Sequence, residues 1–168
     1  MSKIAFLLAD QFEDSEMKVP YDEVKKAGHE VVIVGLEAGK KVKGKQGKAE
    51  YTIEKAISDV KVSEFNGVII PGGSSPEALR GNEDILNFVK EVNQSKKTIA
   101  AICHGPQILA SAELLSDRTI TSYPPLKDDM VNAGSKFVDE EVVVDDNFIT
   151  SRTPEDEPAF VREILKAI

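Results

Sequence analysis

The chain has one cysteine, two histidines and no tryptophan among its 168 residues. A single cysteine, Cys103, excludes an intramolecular disulfide. The two histidines, His29 and His104, cannot complete a zinc site of the usual Cys and His ligands with one cysteine, so we expect no metal. No apolar stretch approaches the roughly 18 residues of a membrane span. The first apolar run is short and acidic residues follow it, so we expect no secretion signal and no membrane partner.

Hydrophobic residues make up 41% of the chain and charged residues 30%, which is typical of an ordinary globular protein. The length predicts one domain over residues 1–168. The formal net charge of -8 argues against nucleic acid as the principal partner, since binding to phosphates needs a positive surface. A free thiol in such a chain predicts a cytoplasmic protein.

Short continuous apolar runs alternate with helical patterns along the chain. This order predicts an α/β fold with a doubly wound, mostly parallel sheet and helices on both faces. A lysine-rich stretch, 39–53, interrupts the alternation and predicts a hairpin or an edge excursion. The last helix is expected from Pro154, with Thr153 as its N-cap. The predicted strands are 4–9, 31–34, 68–70, 98–102, 119–121, 136–138, 142–144 and 148–151, and the other predicted helices are 15–27, 83–92 and 106–115.

Cys103 follows a predicted buried strand directly and precedes a predicted helix. A nucleophile held on such a turn needs small residues two positions before and after it, and Ala101 and Gly105 satisfy this. The N-terminus of the following helix should favour the thiolate. Backbone N–H groups of His104 and of the Gly72-Gly73 loop are candidates for an oxyanion hole. The alternative is that Cys103 is a buried small hydrophobic residue.

Four acids follow the first predicted strand within seven residues: Asp10, Glu13, Asp14 and Glu16. One of them beside Cys103 could share a proton with the sulfur or act as a general base. Acids at a helix start also simply complement its dipole, and we favour this interpretation for Asp10 and Asp14. The spacing does not decide whether Glu13 or Glu16 faces the sulfur.

His104 needs an orienting acid before it can serve Cys103 as a base. Glu77 is the candidate, and it could reach His104 from another subunit. No histidine follows His104, which excludes the glutamine amidotransferase arrangement of an elbow cysteine with a distant downstream histidine. The five lysines between 40 and 48 resemble a phosphate-binding loop only in part, because Gln46 stands where Ser or Thr should hold magnesium. They are better explained as a charged edge that discourages strand-to-strand aggregation.

Several motifs together resemble the ThiJ/PfpI family. They stand at the family's spacings over essentially the whole chain: Phe12-Glu13-Asp14-Ser15-Glu16, Pro71-Gly72-Gly73, Ala101-Ile102-Cys103-His104-Gly105-Pro106-Gln107 and Thr121-Ser122-Tyr123-Pro124. The resemblance implies a flavodoxin-like fold, a dimer or larger homo-oligomer, Cys103 as the nucleophile and Glu16 as its hydrogen-bonded glutamate, with Glu13 beside it. The histidine after the cysteine is similar to the PfpI branch, whose triad would be Cys103, His104 and an intersubunit Glu77.

The resemblance leaves three functions open, and none of them requires a cofactor. The first is a stress-related glyoxalase or deglycase that acts on small reactive carbonyls or their adducts. The second is an intracellular peptidase that acts on peptides through Cys103, His104 and Glu77. The third is a non-enzymatic redox sensor or chaperone that uses oxidation of Cys103.

Overall fold

The computed structural model describes all 168 residues and eleven strands. The apolar runs become strands because residues buried on both faces of a sheet favour continuous Val, Ile, Leu and Ala sequences. The strands are β1 (Lys3–Leu7), β2 (Glu30–Gly35), β3 (Lys41–Lys43), β4 (Glu50–Thr52), β5 (Lys55–Ala56), β6 (Gly67–Ile70), β7 (Thr98–Ile102), β8 (Thr119–Ile120), β9 (Lys136–Phe137), β10 (Val143–Asp145) and β11 (Phe148–Ser151).

Six α-helices and four short 3-10 turns connect these strands. The 3-10 turns are Ile57–Asp59, Val62–Glu64, Pro124–Leu126 and Pro154–Asp156. The helices are α1 (Asp14–Lys26), α2 (Ser75–Leu79), α3 (Glu83–Gln94), α4 (Pro106–Ser111), α5 (Lys127–Asn132) and α6 (Glu157–Ala167). No helix is long and apolar enough to cross a membrane.

The central sheet has seven strands in the order β10-β11-β7-β6-β1-β2-β5. Six of its strands are parallel and the edge strand β10 is antiparallel to β11. This confirms the predicted mostly parallel sheet with helices around it. Because all the inner strands run in one direction, β1, β6 and β7 end at the same edge, and the acidic loop, the Pro71-Gly72-Gly73 turn and Cys103 meet there.

Two apolar layers cover the two faces of the sheet. Alternate residues of β1 enter opposite layers: Ala5 and Leu7 join a cluster of 23 buried residues, and Ile4 and Phe6 join one of 16. The first layer packs residues from α3 and α4, and the second packs residues from α1 and α6. Both faces of the sheet are therefore closed to solvent, and its carboxyl edge remains available for a site.

Some predicted boundaries differ from the structure. The predicted hairpin is present as β3 paired with β4, whereas the short elements α2, α5 and β5 were not predicted. Helix α4 ends at Ser111 rather than near Leu115. The Thr153 side chain makes no capping hydrogen bond, so the prediction of a Thr153 cap is wrong. The reason is that the chain first forms a 3-10 turn there, and Asp156 instead accepts the backbone N–H of Arg152 at 3.1 Å.

Candidate active site

Cys103 lies on a strained turn between β7 and α4. Its φ angle is +62°. This left-handed conformation is energetically unfavourable for any residue other than glycine. The backbone N–H of Cys103 donates to the Ser151 carbonyl at 3.0 Å, and the Tyr123 N–H donates to the Cys103 carbonyl at 2.9 Å. A Cβ at Gly105 would lie 2.7 Å from the Ile70 carbonyl oxygen, so the chain passes itself closely here. These features define a nucleophile elbow.

Glu16 is the acid that faces the sulfur. It lies in the first turn of α1 with 0% of its surface exposed, and its Oε1 accepts the Gly72 N–H at 2.9 Å. Its buried Oε2 has no hydrogen-bond partner, and the Cys103 thiol affects the pKa of the carboxyl group. Glu13 instead forms an ion pair with Lys45 at 3.2 Å. The tertiary structure thus distinguishes the two glutamates that spacing could not.

Cys103 and Glu16 form a tightly coupled pair. Burial raises the pKa of Glu16 to about 8, although the hydrogen bond from Gly72 acts against this rise. Burial, and then the charge of Glu16, raise the pKa of the Cys103 thiol. Near neutrality the Glu16 carboxyl is therefore mostly protonated beside a neutral thiol, because two adjacent negative charges in a buried site are unfavourable.

The expectation that α4 favours the thiolate is not met. Only 7% of Cys103 is exposed, and burial is the largest influence on its pKa, acting against the charged form. The backbone N–H of His104 interacts with the sulfur and lowers the thiol pKa as expected, but this effect is smaller. A six-residue helix supplies little field to offset desolvation of a buried sulfur.

The His104 ring lies beside the sulfur. Its Nδ1 is 3.3 Å from Cys103 Sγ, and the ring stacks on Tyr123 with 4.8 Å between centroids. Burial and the nearby Lys45 lower the pKa of His104, and the charge of Glu77 opposes them. His104 and Glu77 line the same pocket, but no hydrogen bond joins them. The Glu77 of the same chain is therefore near His104 without orienting it.

The candidate oxyanion donors divide into two groups. The Gly72 N–H already donates to Glu16 Oε1, so the expectation that Gly72 belongs to the oxyanion hole is wrong. The Gly73 N–H donates no hydrogen bond within the protein, and Gly73 adopts a φ of +76° that favours glycine. The His104 N–H is directed toward the sulfur. Gly73 and His104 thus remain the candidate donors to a developing negative oxygen.

Asp14 binds the β3–β4 hairpin to the site, a role that the sequence did not reveal. Its carboxylate accepts backbone N–H groups of Gln46, Lys48 and Ala49 at 2.7 to 2.8 Å. Burial of Asp14 opposes ionisation, but these three hydrogen bonds outweigh it and lower its pKa. Asp14 does lie in the first turn of α1, as expected, and in addition it accepts the amides of the hairpin that folds over it.

Lys45 is the site residue that sequence reasoning missed. The lysine run was explained as a charged sheet edge, but the hairpin turn carries Lys45 to Glu13 and to a pocket beside the elbow. Nothing in the local sequence separates Lys45 from the other lysines, since only the fold of the hairpin onto Asp14 selects it.

A polar pocket of about 250 Å³ lies next to the elbow, and no hydrophobic residue lines it. Such a lining is typical of a site for small polar molecules and is unusual for a drug-sized apolar ligand. The pocket is lined by Lys45, Gly73, Ser74, Glu77, Arg80, His104 and Gln107.

The elbow cysteine, its buried glutamate and the flavodoxin-like sheet define a class of protein. The chain belongs to the DJ-1/PfpI family, whose sequence model matches residues 2–167. It is 50% identical over 167 residues to Protein/nucleic acid deglycase 2 of Escherichia coli (strain K12), covering 99% of this chain and 97% of that protein. It is 49% identical over 164 residues to General stress protein 18 of Bacillus subtilis (strain 168), covering 97% and 95% of the two chains.

A solved structure shows the same fold in a longer protein. The crystal structure of a two-domain protein from Anabaena variabilis, with DJ-1/ThiJ/PfpI-like and ferritin-like domains, superposes with a TM-score of 0.97 at 39% identity. The superposition covers 99% of this chain and 48% of that chain, so this protein spans about half of its length.

Proposed function

We propose that this protein is a cytoplasmic, stress-related enzyme that acts on small reactive carbonyls or on their adducts, as a glyoxalase or deglycase. The observation that carries the proposal is the Glu16–Cys103 pair, in which a buried carboxyl with a pKa near 8 adjoins an elbow sulfur. A group that titrates near the working pH can both take and return a proton. The names of the two relatives, a deglycase and a stress protein, support the same proposal.

The chemistry follows from the atoms around the sulfur. Cys103 Sγ adds to the aldehyde carbon of methylglyoxal, and the thiol proton passes to the aldehyde oxygen. The ionised form of Glu16 then removes the proton on that carbon and returns it to the neighbouring carbon. The hydroxyl proton of the first carbon moves to the oxygen of the neighbouring carbon, and the product is a thioester. The amides of Gly73 and His104 stabilise the negative oxygen that forms when water attacks the thioester. Hydrolysis releases lactate and restores the thiol, so no oxidant or reductant is consumed.

Methylglyoxal consumption by the wild type, Cys103→Ser and Glu16→Gln tests this proposal. We expect both variants to lose activity by about 100-fold or more, because one removes the nucleophile and the other removes the proton carrier. Glu163→Gln, at the ion pair with Lys166 on α6, is the matched control and should retain activity. Equal rates in the wild type and Cys103→Ser would contradict the proposal.

A second candidate function, peptide hydrolysis, is favoured by the 3.3 Å separation of Cys103 Sγ and His104 Nδ1. It needs an acid to orient His104, and Glu77 of the same chain does not bond to it. We therefore propose a homodimer or larger assembly for this alternative, with Glu77 supplied by a neighbouring subunit. Light scattering combined with hydrolysis of a fluorogenic peptide tests it, and a monomer or a fully active Glu77→Gln variant would exclude it.

A further inference from the structure

The positively charged side chain of Arg80 lines the pocket but takes no part in the proposed reaction at Cys103. It follows α2 and lines the pocket together with His104 and Gly73. Its Nε donates to Ser111 Oγ at 2.8 Å, and its two terminal nitrogens donate no hydrogen bond within the protein. Arg80 forms no ion pair. A partly buried guanidinium without a carboxylate partner is uncommon, since charged groups shielded from water are usually paired.

The bond to Ser111 restricts the guanidinium. An arginine held at Nε presents its remaining N–H groups as a fixed fork, and this fork matches two oxygens of a carboxylate or phosphate. Less side-chain entropy is then lost when an anion binds. Ser74 and Gln107 add polar groups to the lining of the same pocket.

The other charged residues that line the pocket are less suited than Arg80 to bind a carboxylate or a phosphate. The ammonium of Lys45 is already engaged by Glu13 at 3.2 Å. Burial lowers the pKa of His104, which disfavours a charged imidazole. Glu77 is exposed and has no ion-pair partner, so it opposes an anion in the pocket and should limit the affinity. Arg80 is thus the only unpaired cation among the lining residues.

We propose that Arg80 is a specificity-determining residue that binds an oxyanion, a carboxylate or a phosphate, carried by the substrate at a distance from the carbonyl that Cys103 attacks. The proposal rests on the proposed function for the identity of the reacting group. It adds the substrate class: carbonyl compounds or adducts of acidic small molecules, in preference to neutral ones of the same size.

The single cysteine allows a test that needs no turnover. Two reagents of nearly equal size modify thiols through the same chemistry: 2-carboxyethyl methanethiosulfonate is anionic and 2-carbamoylethyl methanethiosulfonate is neutral. The ratio of their rates at Cys103 is divided by the ratio for free N-acetylcysteine amide, which removes their intrinsic difference. We expect this corrected ratio to favour the anionic reagent by about tenfold in the wild type.

Four variants locate the cause of the preference. Arg80→Gln should abolish it, Arg80→Lys should retain part of it because the charge remains without the fork, and Ser111→Ala should weaken it. Arg162→Gln removes one positive charge from α6, where Arg162 pairs with Glu163, and should leave the ratio unchanged. Protection of Cys103 from the neutral reagent by acetate or by inorganic phosphate shows which oxyanion the site prefers.

The outcomes separate this proposal from the proposed function. No preference in the wild type, or equal ratios in Arg80→Gln and Arg162→Gln, would overturn the oxyanion subsite even if methylglyoxal is consumed. An Arg80-dependent preference without any methylglyoxal consumption would retain the subsite and overturn the carbonyl chemistry. If Arg80→Gln does not fold, Arg80→Lys and Ser111→Ala still decide, since an unchanged ratio in both contradicts the proposal.

Discussion

Oε1 of Glu16 accepts the backbone N–H of Gly72 at 2.9 Å, and Oε2 of the same buried carboxyl, which interacts with Cys103, has no hydrogen-bond partner. The bond joins α1 to the turn after β6 and fixes the side chain without neutralising it. A carboxyl held by a single backbone donor in a buried site keeps a raised pKa, because one hydrogen bond offsets only part of the desolvation cost.

The stability of the protein should depend on pH through Glu16. The pKa of Glu16 is about 8 in the folded protein, against 4.5 for an unperturbed glutamate. Between these two pH values the folded protein therefore keeps a proton on Glu16 that the unfolded chain has lost. The stability that this proton contributes is complete below pH 4.5 and decreases as the pH rises toward 8. The loss is at most about 1.4 kcal/mol per pH unit. Chemical denaturation of the wild type and Glu16→Gln at several pH values measures it, and equal slopes in both proteins would contradict the assignment.

Gly72→Ala should disrupt the site while Gly81→Ala should not. A Cβ at Gly72 would collide with Glu16 Oε1 and lie 2.9 Å from Cys103 Cβ, whereas a Cβ at Gly81 has no atom within 4 Å. We expect Gly72→Ala to lose about 1–3 kcal/mol of stability through overpacking and most of its activity. Urea denaturation and methylglyoxal consumption for the pair provide the measurement. Similar behaviour of the two variants would show that the Gly72 contact is not needed.

Asp14→Asn should loosen the hairpin that carries Lys45. An amide cannot accept hydrogen bonds from Gln46, Lys48 and Ala49 with the strength of a carboxylate, and one buried acceptor atom becomes a donor. We expect a loss of about 1–3 kcal/mol in stability, faster hydrogen exchange at these three amides, and an increase in KM larger than the decrease in kcat. Asp22→Asn, at an exposed ion pair on α1, is the control and should change none of these. Unchanged exchange in Asp14→Asn would contradict the positioning role.

Alkylation of Cys103 by iodoacetamide at pH 9 to 10 should be faster in Glu16→Gln than in the wild type. Above the pKa of about 8, Glu16 carries a charge that raises the pKa of the neighbouring thiol, and the glutamine variant lacks this charge. Since the thiolate is the nucleophile, the alkylation rate follows its population. Rates followed by mass spectrometry of the single cysteine provide the measurement. A slower reaction in Glu16→Gln would show that the carboxyl assists ionisation of the sulfur even when charged.

Much of the fold could be predicted because it depends on local patterns. The continuous apolar run in β7 and the amphipathic spacing in α3 identify buried strand and surface helix directly. The short elements α2 and α5 were missed because five or six residues give too little periodicity to recognise. The elbow at Cys103 could be anticipated from the small residues Ala101 and Gly105, which the close passage of the chain requires.

The sequence by itself determined the kind of sheet, the position of the one reactive sulfur and the loops that meet it, since each follows from residue type and spacing. The spacing left Glu13 and Glu16 as alternatives, and the structure places Glu16 beside Cys103, as the family resemblance implied. The tertiary structure alone decided that the Gly72 amide is already engaged and that Lys45 reaches the site. It also decided that burial opposes the thiolate. The physical reason is that hydrogen bonds, ion pairs and desolvation depend on distances between segments far apart in the chain, and these distances exist only after the segments pack.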